Sequence, residues 1–287
     1  IGDSWIHGLG TDPGKVAAFR ELSRFRRETL LGDKKLKPEA LGKFECNLLL
    51  VAEHTWGLDI KSFLADDHTW LRSDFDAAYR VRPNFLAVAK SWREQRTYLE
   101  HALAALPEHL RREGRRRLAS LKARPFSFPA VRTAPPKLAT RHFEVAFNAH
   151  GELAKIAAAD GSVSWSKAGK PFFSLGYLRY NDRDVERFLG EYCRWNDAFR
   201  AAWARWDMGK PGLPEGLPSD RSRGEDAEFA VFRRAGADIV RARFGVKDDC
   251  VRNAGAPARF EVEYRFPDAE ALVEITVQWF GKSPNRM

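Results

Sequence analysis

One short stretch concentrates the side chains that could do chemistry. Within residues 46–64 an apolar run leads to His54, and Trp56 and Asp59 follow it closely. An imidazole, an indole and a carboxylate within six residues, with a glycine among them, are the most site-like arrangement in the chain. We therefore place the centre of the function hypothesis at His54, with Trp56 and Asp59 as its companions.

His54 and Trp56 also have purely structural interpretations. His54 could be a core histidine whose ring bonds to a backbone carbonyl, and Trp56 could be an ordinary core indole. The other histidines lack the spacing of a ligand set and are interpreted as structural or solvent-exposed: His7, His68, His101, His109, His142 and His150.

Composition narrows the class of protein. The 287 residues carry a formal net charge of +9 and are 44% hydrophobic, which is ordinary for a globular chain. The three cysteines are far apart and are expected to be reduced thiols. No apolar run is long enough to span a bilayer, and a basic balance without a nucleic-acid motif is a weak signal. We expect neither a membrane nor a nucleic acid as partner.

The first part of the chain predicts a three-helix bundle. Asp12 and Pro13 are a good helix start, with a capping carboxylate followed by proline at the first helical position. Pro38 begins a second helical stretch. Apolar residues at helical spacing over 85–121 give a third, which Pro107 interrupts.

The second part predicts an antiparallel β-sandwich with a helical insert. The alternation at Phe143–Phe147 recurs in later runs, whereas 184–206 has the period of a helix. An aromatic stripe on that insert, from Phe188 to Trp206, is most simply a core face. We expect a multidomain α+β fold, with a helical bundle domain at 1–127 and a β-sandwich domain at 128–287.

Three short motifs carry a resemblance to a known family. The chain reads GDSWIHG at 2–8, AEHTWG at 52–57 and WFGKSPNR at 279–286. In this order, around a bundle and a sandwich, they resemble the C-terminal two-thirds of the glycoside hydrolase family 38 α-mannosidases. The resemblance is closer to an uncharacterised domain-of-unknown-function branch related to them. It implies a galactose-mutarotase-like sandwich, here truncated at the C-terminus.

The resemblance implies a zinc-dependent retaining glycoside hydrolase acting on a carbohydrate substrate. In that family an N-terminal α/β barrel supplies a zinc-binding His and Asp and the nucleophile, and a His of the helical domain completes the Zn²⁺ site. His54 would be that ligand, and the missing barrel of the same polypeptide would be its partner. The sequence opens without Met and stops after a strand-like run, so we interpret it as a piece that is inactive alone.

The resemblance also suggests sugar contacts. Trp56 would be one of them, since an indole face packs well on the C–H groups of a pyranose ring. Asp3 and Trp5 would lie where the barrel passes into the helices, although a strand end and a packed indole explain them as well. Asn285 and Arg286 would project from a sandwich loop. Thr55 departs from the pattern, because familiar members carry an Asp there that contacts the sugar; Asp59, about one helical turn on, is the candidate replacement.

Two other classes stay open. A non-catalytic carbohydrate-binding or scaffold module would use the sandwich and the aromatic insert, and its glycan binding would not respond to a chelator. A nucleic-acid binder would use the basic run at 111–117 and would lose affinity steeply with salt. That run is more simply a solvated helix end, so nucleic-acid binding is the last of the three hypotheses.

Overall fold

The chain folds into two compact units. The computed structural model describes residues 12–53, 57–282 and 286, and the side chains of Glu53, Ile60 and Lys61 are left out of the description. The helical unit comprises the described residues up to Asp67, Asp76–Lys122 and Ala198–Gly209, and the β unit comprises His68–Phe75, Ala123–Asp197 and the described residues from Lys210 onward. The predicted multidomain α+β class is confirmed.

The helices described before Ala123 are α1 Pro13–Phe25, α2 Pro38–Glu53, α3 Arg72–Val81, α4 Pro83–Ala104 and α5 Glu108–Ser120. Single π-helical turns extend α1 over Arg26–Leu30 and precede α3 over Ile60–Leu64. The predicted start of α1 is confirmed, because Asp12 Oδ1 accepts a hydrogen bond from the Lys15 amide at 3.1 Å and Pro13 is the first helical residue.

The core of the helical unit is built by four helices. Its fully buried side chains come from α1, α2, α4 and the start of α5. Pro107 separates α4 from α5, so among the described residues four helices form this core and not the three expected from the sequence. Gly114 lets α5 approach closely, since a Cβ there would lie 2.4 Å from Leu103 Cδ2 and 3.3 Å from Phe25 Cε1.

The β unit contains three described antiparallel sheets. A three-stranded sheet consists of β1 Lys137–Ala139, β2 Phe143–Phe147 and β3 Leu153–Ala158. A two-stranded sheet pairs β4 Gly176–Arg179 with β5 Asp220–Arg223. A four-stranded meander runs through β6 Glu225–Arg234, β7 Ala237–Gly245, β8 Arg259–Pro267 and β9 Glu274–Phe280, with α7 Asp248–Ala254 between β7 and β8.

The three-stranded and four-stranded sheets share one core, which gives the β unit its sandwich character. Phe147 of β2 packs edge-on against Tyr264 of β8, with ring centroids 4.9 Å apart, and against Phe229 of β6 at 6.1 Å. The β6–β7 hairpin closes with positive φ at both Ala235 and Gly236, the conformation that a two-residue turn of this type needs.

The helical insert lies between β4 and β5, as the period predicts. Helix α6 Asp182–Tyr192 begins with a capping box formed by Asn181 and Asp184, and shorter helical turns follow through Asp207. The predicted core face is wrong for most of the stripe: Phe188, Tyr192 and Trp195 are 48%, 44% and 86% exposed. A helical period marks one apolar face but does not specify which element covers it.

Candidate functional site

Most of the predicted site residues lie outside the described residues. They are Asp3, Trp5, His54, Trp56 and Asn285. Helix α2 is described to Glu53, and the description begins again at Gly57. The structure therefore describes the first two residues and the last residue of the AEHTWG motif. The metal-ligand prediction for His54, and the sugar-contact predictions for its neighbours, stay predictions.

The downstream flank of this motif is firmly attached to helix α4. Gly57 has φ of +78°, and a Cβ there would lie 2.4 Å from Ser91 Oγ. That hydroxyl accepts a hydrogen bond from the Leu58 amide at 3.0 Å and donates one to the Val88 carbonyl at 2.6 Å. Glycine is therefore needed both for the left-handed backbone and for the close approach. The backbone at Gly57 and Leu58 is thereby fixed against α4.

Asp59 caps the π-helical turn that follows. Its carboxylate accepts hydrogen bonds from the Ser62 amide at 3.2 Å and from the Ser62 hydroxyl. The side chain is exposed. Asp59 thus has a structural task that the sequence reasoning did not assign, because Asp at the start of a helical turn is a capping residue.

Arg286 belongs to a cluster that the sequence reasoning missed. Its guanidinium carbon lies 4.0 Å from the centroid of the Trp70 ring, and its Nη1 donates to the Thr69 carbonyl at 3.0 Å. Lys210 Nζ lies 4.8 Å from the same centroid and donates to the Arg286 carbonyl. The Trp70 indole N–H donates to the Pro211 carbonyl at 2.9 Å, which fixes the ring.

The cluster changes the chemistry of Lys210. Burial, and secondarily the positive charge of Arg286, lower the pKa of its ammonium from 10.5 to about 8. Trp70 is only 7% exposed, so its face serves as a base for the two cations and not as an open platform. Lys210 is largely buried and supports Arg286 through its backbone carbonyl. Arg286 is thereby held in the β unit as a donor from which oxygen atoms of a ligand could accept.

One sequence signal could have pointed to this cluster. The tripeptide His-Thr-Trp of the AEHTWG motif, at 54–56, occurs again at 68–70, and the second copy contains Thr69 and Trp70. Lys210 stands in the Gly/Pro-rich stretch after the insert and gives no such signal. Their meeting is a product of the tertiary fold.

The described residues do not form a metal centre by themselves. No group of three or more His, Cys, Asp or Glu side chains among residues 12–53, 57–282 and 286 could hold a metal ion. Cys46 is exposed, and the buried Cys193 and Cys250 are free thiols. No helix in the described part of the chain is long and apolar enough to cross a membrane.

The basic run at 111–117 is embedded in acidic partners. Arg115 pairs with Glu100 at 3.3 Å and Arg116 with Glu113 at 2.8 Å. Arg117 lies 2.8 Å from a carboxylate oxygen of Glu28. The hydrogen bond from Arg117, acting against a smaller desolvation effect, holds the pKa of Glu28 below its ordinary value. These pairs fit the interpretation of the run as a solvated helix end.

Comparison with known families identifies one match. The family model described as Domain of unknown function (DUF5054) matches residues 9–275. Because this match covers most of the chain, the protein belongs to the DUF5054 family. No curated protein and no solved structure matches the chain.

Proposed function

We propose that this chain is the helical and β-sheet part of a zinc-dependent retaining glycoside hydrolase similar to the α-mannosidases. In this proposal His54 contributes one imidazole nitrogen to the metal site, and residues of the chain form walls of the sugar site. The proposal is supported by the AEHTWG motif at the end of a long helix. It is also supported by the order of a helical unit and a sandwich-like β unit.

The single observation that carries the sugar site is the position of Arg286. Its guanidinium lies over Trp70 and is bonded to the Thr69 carbonyl, and Lys210 lies against the same indole. Sugar hydroxyls and ring oxygens accept hydrogen bonds, and charged donors give the stronger ones. Donors that are already oriented lose little conformational entropy when a ligand binds. Arg286 would therefore bind and orient the substrate, and the largely buried Lys210 would hold Arg286 in place through its backbone carbonyl.

The metal and the carboxylates need residues beyond those described. Zinc, when bound, would polarise sugar hydroxyls as a Lewis acid. The described residues offer no three-ligand group, so the proposal assigns the remaining ligands to a barrel of the same polypeptide. It assigns the nucleophile and the acid to that barrel as well, about 5 Å apart as retention requires.

The test is glycosidase activity of the complete natural polypeptide that carries this sequence. A panel of aryl glycosides would be assayed, and the anomer first released would be identified by NMR. We expect turnover with retention, and a KM about tenfold higher in Arg286→Met because a charged donor is lost. Arg194→Met is the matched control, since Arg194 Cζ lies 4.9 Å over the exposed Trp195. Absence of turnover on every glycoside, or an equal effect of both variants, would refute the proposal.

A second candidate, a non-catalytic carbohydrate-binding module, is favoured by the exposed aromatic face of the insert. Phe188 and Tyr192 lie one turn apart on α6, with ring centroids 5.8 Å apart and an interplanar angle of 31°. Exposed rings of this kind can stack on the apolar faces of sugars.

Glycan binding in the presence and absence of a chelator separates the two candidates. A binding module predicts chelator-insensitive binding that Tyr192→Ala abolishes. Trp279→Ala, which removes a similarly exposed ring from β9, is the control. If binding needs the metal or survives Tyr192→Ala, this second candidate is wrong.

A further inference from the structure

The β unit contains a basic cavity away from the cluster at Trp70, since none of Trp70, Lys210 and Arg286 is among its described lining residues. Its volume is about 250 Å³, and its wall includes Asn148, Lys167, Gly169, Lys170 and Arg223. The described residues of the lining include three cations and no acid, beside the apolar Ala154 and Pro171. The lining thus combines apolar surface with cationic side chains that donate hydrogen bonds.

A tight turn presents the two lysines. The Lys170 amide donates to the Lys167 carbonyl at 3.0 Å, and Gly169 between them has φ of +73°. This is the conformation of a type II turn, in which glycine takes the third position. The following segment is bonded to β3, because the Phe172 amide donates to the Leu153 carbonyl at 2.9 Å. The turn therefore fixes the backbone positions from which both lysines line the cavity.

A buried carboxylate orients Arg223 and Asn148, two further lining residues of the cavity. The side chain of Glu152 is 1% exposed and accepts hydrogen bonds from two nitrogens of Arg223, with Nε at 3.1 Å, and from Asn148 Nδ2 at 2.9 Å. Burial alone would raise the pKa of Glu152, but these bonds outweigh it and leave the pKa below its ordinary value. The carboxylate therefore stays ionised and holds both donors at the cavity.

The loop behind this carboxylate is also fixed. Gly151 has φ of +75°, and a Cβ there would lie 2.5 Å from Phe244 Cδ1. Its carbonyl accepts a hydrogen bond from the buried hydroxyl of Tyr264 at 3.0 Å. The wall that carries Asn148 is thus set by the core, so binding would require little rearrangement.

We propose that this cavity binds the phosphate or sulfate group of a small ligand. The volume is below the range of about 300–1,000 Å³ that encloses a drug-sized molecule, which favours one group over a whole ligand. The ionised oxygens of a phosphate or a sulfate accept hydrogen bonds, and arginine and lysine are their usual partners in proteins. A neutral sugar would leave the charge of the two lysines without a counterpart.

Backbone-amide NMR titration of the chain with inorganic phosphate and with inorganic sulfate tests the proposal. Ionic strength is held constant with sodium chloride, and glucose serves as the neutral probe. We expect saturable shifts centred on Gly169, and the tighter of the two anions identifies the group. The double variant Lys167→Ala/Lys170→Ala should weaken binding about tenfold or more because two charged donors are lost.

Lys137→Ala/Lys155→Ala is the matched control, because both lysines are exposed and neither lines the cavity. Because both lysines of the turn are exposed, we expect the double variant to fold. An amide spectrum that is unchanged outside the turn would verify that it does. Absence of saturable shifts with either anion, equal weakening in both double variants, or equal binding of glucose would overturn the proposal. The site does not depend on the proposed glycosidase function, and this test uses no glycosidase readout.

Discussion

Replacing Lys210 with methionine should change how the stability of the protein depends on pH. The Lys210 ammonium lies largely buried beside Arg286, with its nitrogen 4.8 Å from the centroid of the Trp70 ring. Methionine keeps an unbranched apolar side chain against the indole but carries no charge. The variant therefore removes the titration of this one group.

The size of the effect follows from proton linkage. A lysine pKa lowered from 10.5 in the unfolded chain to about 8 in the folded one corresponds to a destabilisation of about 3 kcal/mol when both states are protonated. This penalty is fully present below about pH 8. Between about pH 8 and 10.5 the unfolded state binds more protons, so the contribution of Lys210 to the free energy of unfolding rises with pH.

Urea denaturation at several pH values between 7 and 10 measures this difference. The free energy of unfolding of the wild type minus that of Lys210→Met should rise by about 2 kcal/mol across the interval. Taking the difference cancels the other groups that titrate there. Lys137→Met, at an exposed lysine, controls for loss of charge. A difference that is flat or falls with pH would refute the burial of a protonated Lys210 beside Arg286.

The remaining stability predictions concern the loops of the two units. Gly57→Ala should lower the free energy of unfolding by about 3 kcal/mol, because the new Cβ meets Ser91 and φ is positive. Gly161→Ala, with a similar φ but open space around the new Cβ, should lower it by about 1 kcal/mol. Equal losses of stability in thermal unfolding would contradict this. Glu152→Gln should cost about 2 kcal/mol near pH 7, since Arg223 loses its ionised partner. Because the folded pKa of Glu152 is lowered, its contribution is present above the unfolded pKa and is lost as pH falls through the folded pKa. Urea melts of wild type and variant should therefore converge in acid, and a gap that persists there would count against the ion pair.

Local sequence signals predict the helix and strand boundaries well where the effect of a residue depends only on its near neighbours. Asp12 followed by Pro13 predicts the start of α1, and Pro107 predicts the gap between α4 and α5. The alternation at Phe143–Phe147 predicts β2, whose side chains alternate in burial. Capping, proline geometry and the two-residue period of a strand depend only on near neighbours, so the sequence suffices for them.

Burial of the helical insert was not predictable in the same way. The period around Phe188 and Tyr192 correctly indicates a helix, but Leu189 is the only fully buried residue of α6 among those described. Whether an apolar face is covered depends on elements distant in sequence. Periodicity contains no information about those elements.

The cluster at Trp70 shows the same limit for the candidate site. Arg286 was predicted as a sugar contact from its motif, whereas Lys210 and Trp70 stand far from it in sequence and were not singled out. No local pattern predicts that an ammonium and a guanidinium will lie on one indole. Only the fold brings them together.

The zinc content of the complete natural polypeptide tests the central claim most directly. Wild type, His54→Ala and His68→Ala would be purified without chelators and analysed for bound metal. The two histidines make a matched pair, since each is followed by Thr and Trp. We predict about one zinc per chain in the wild type and in His68→Ala, and loss of zinc in His54→Ala, because a site loses most of its affinity with one of its ligands. Zinc that is absent from the wild type, or that is retained in His54→Ala, would contradict the account.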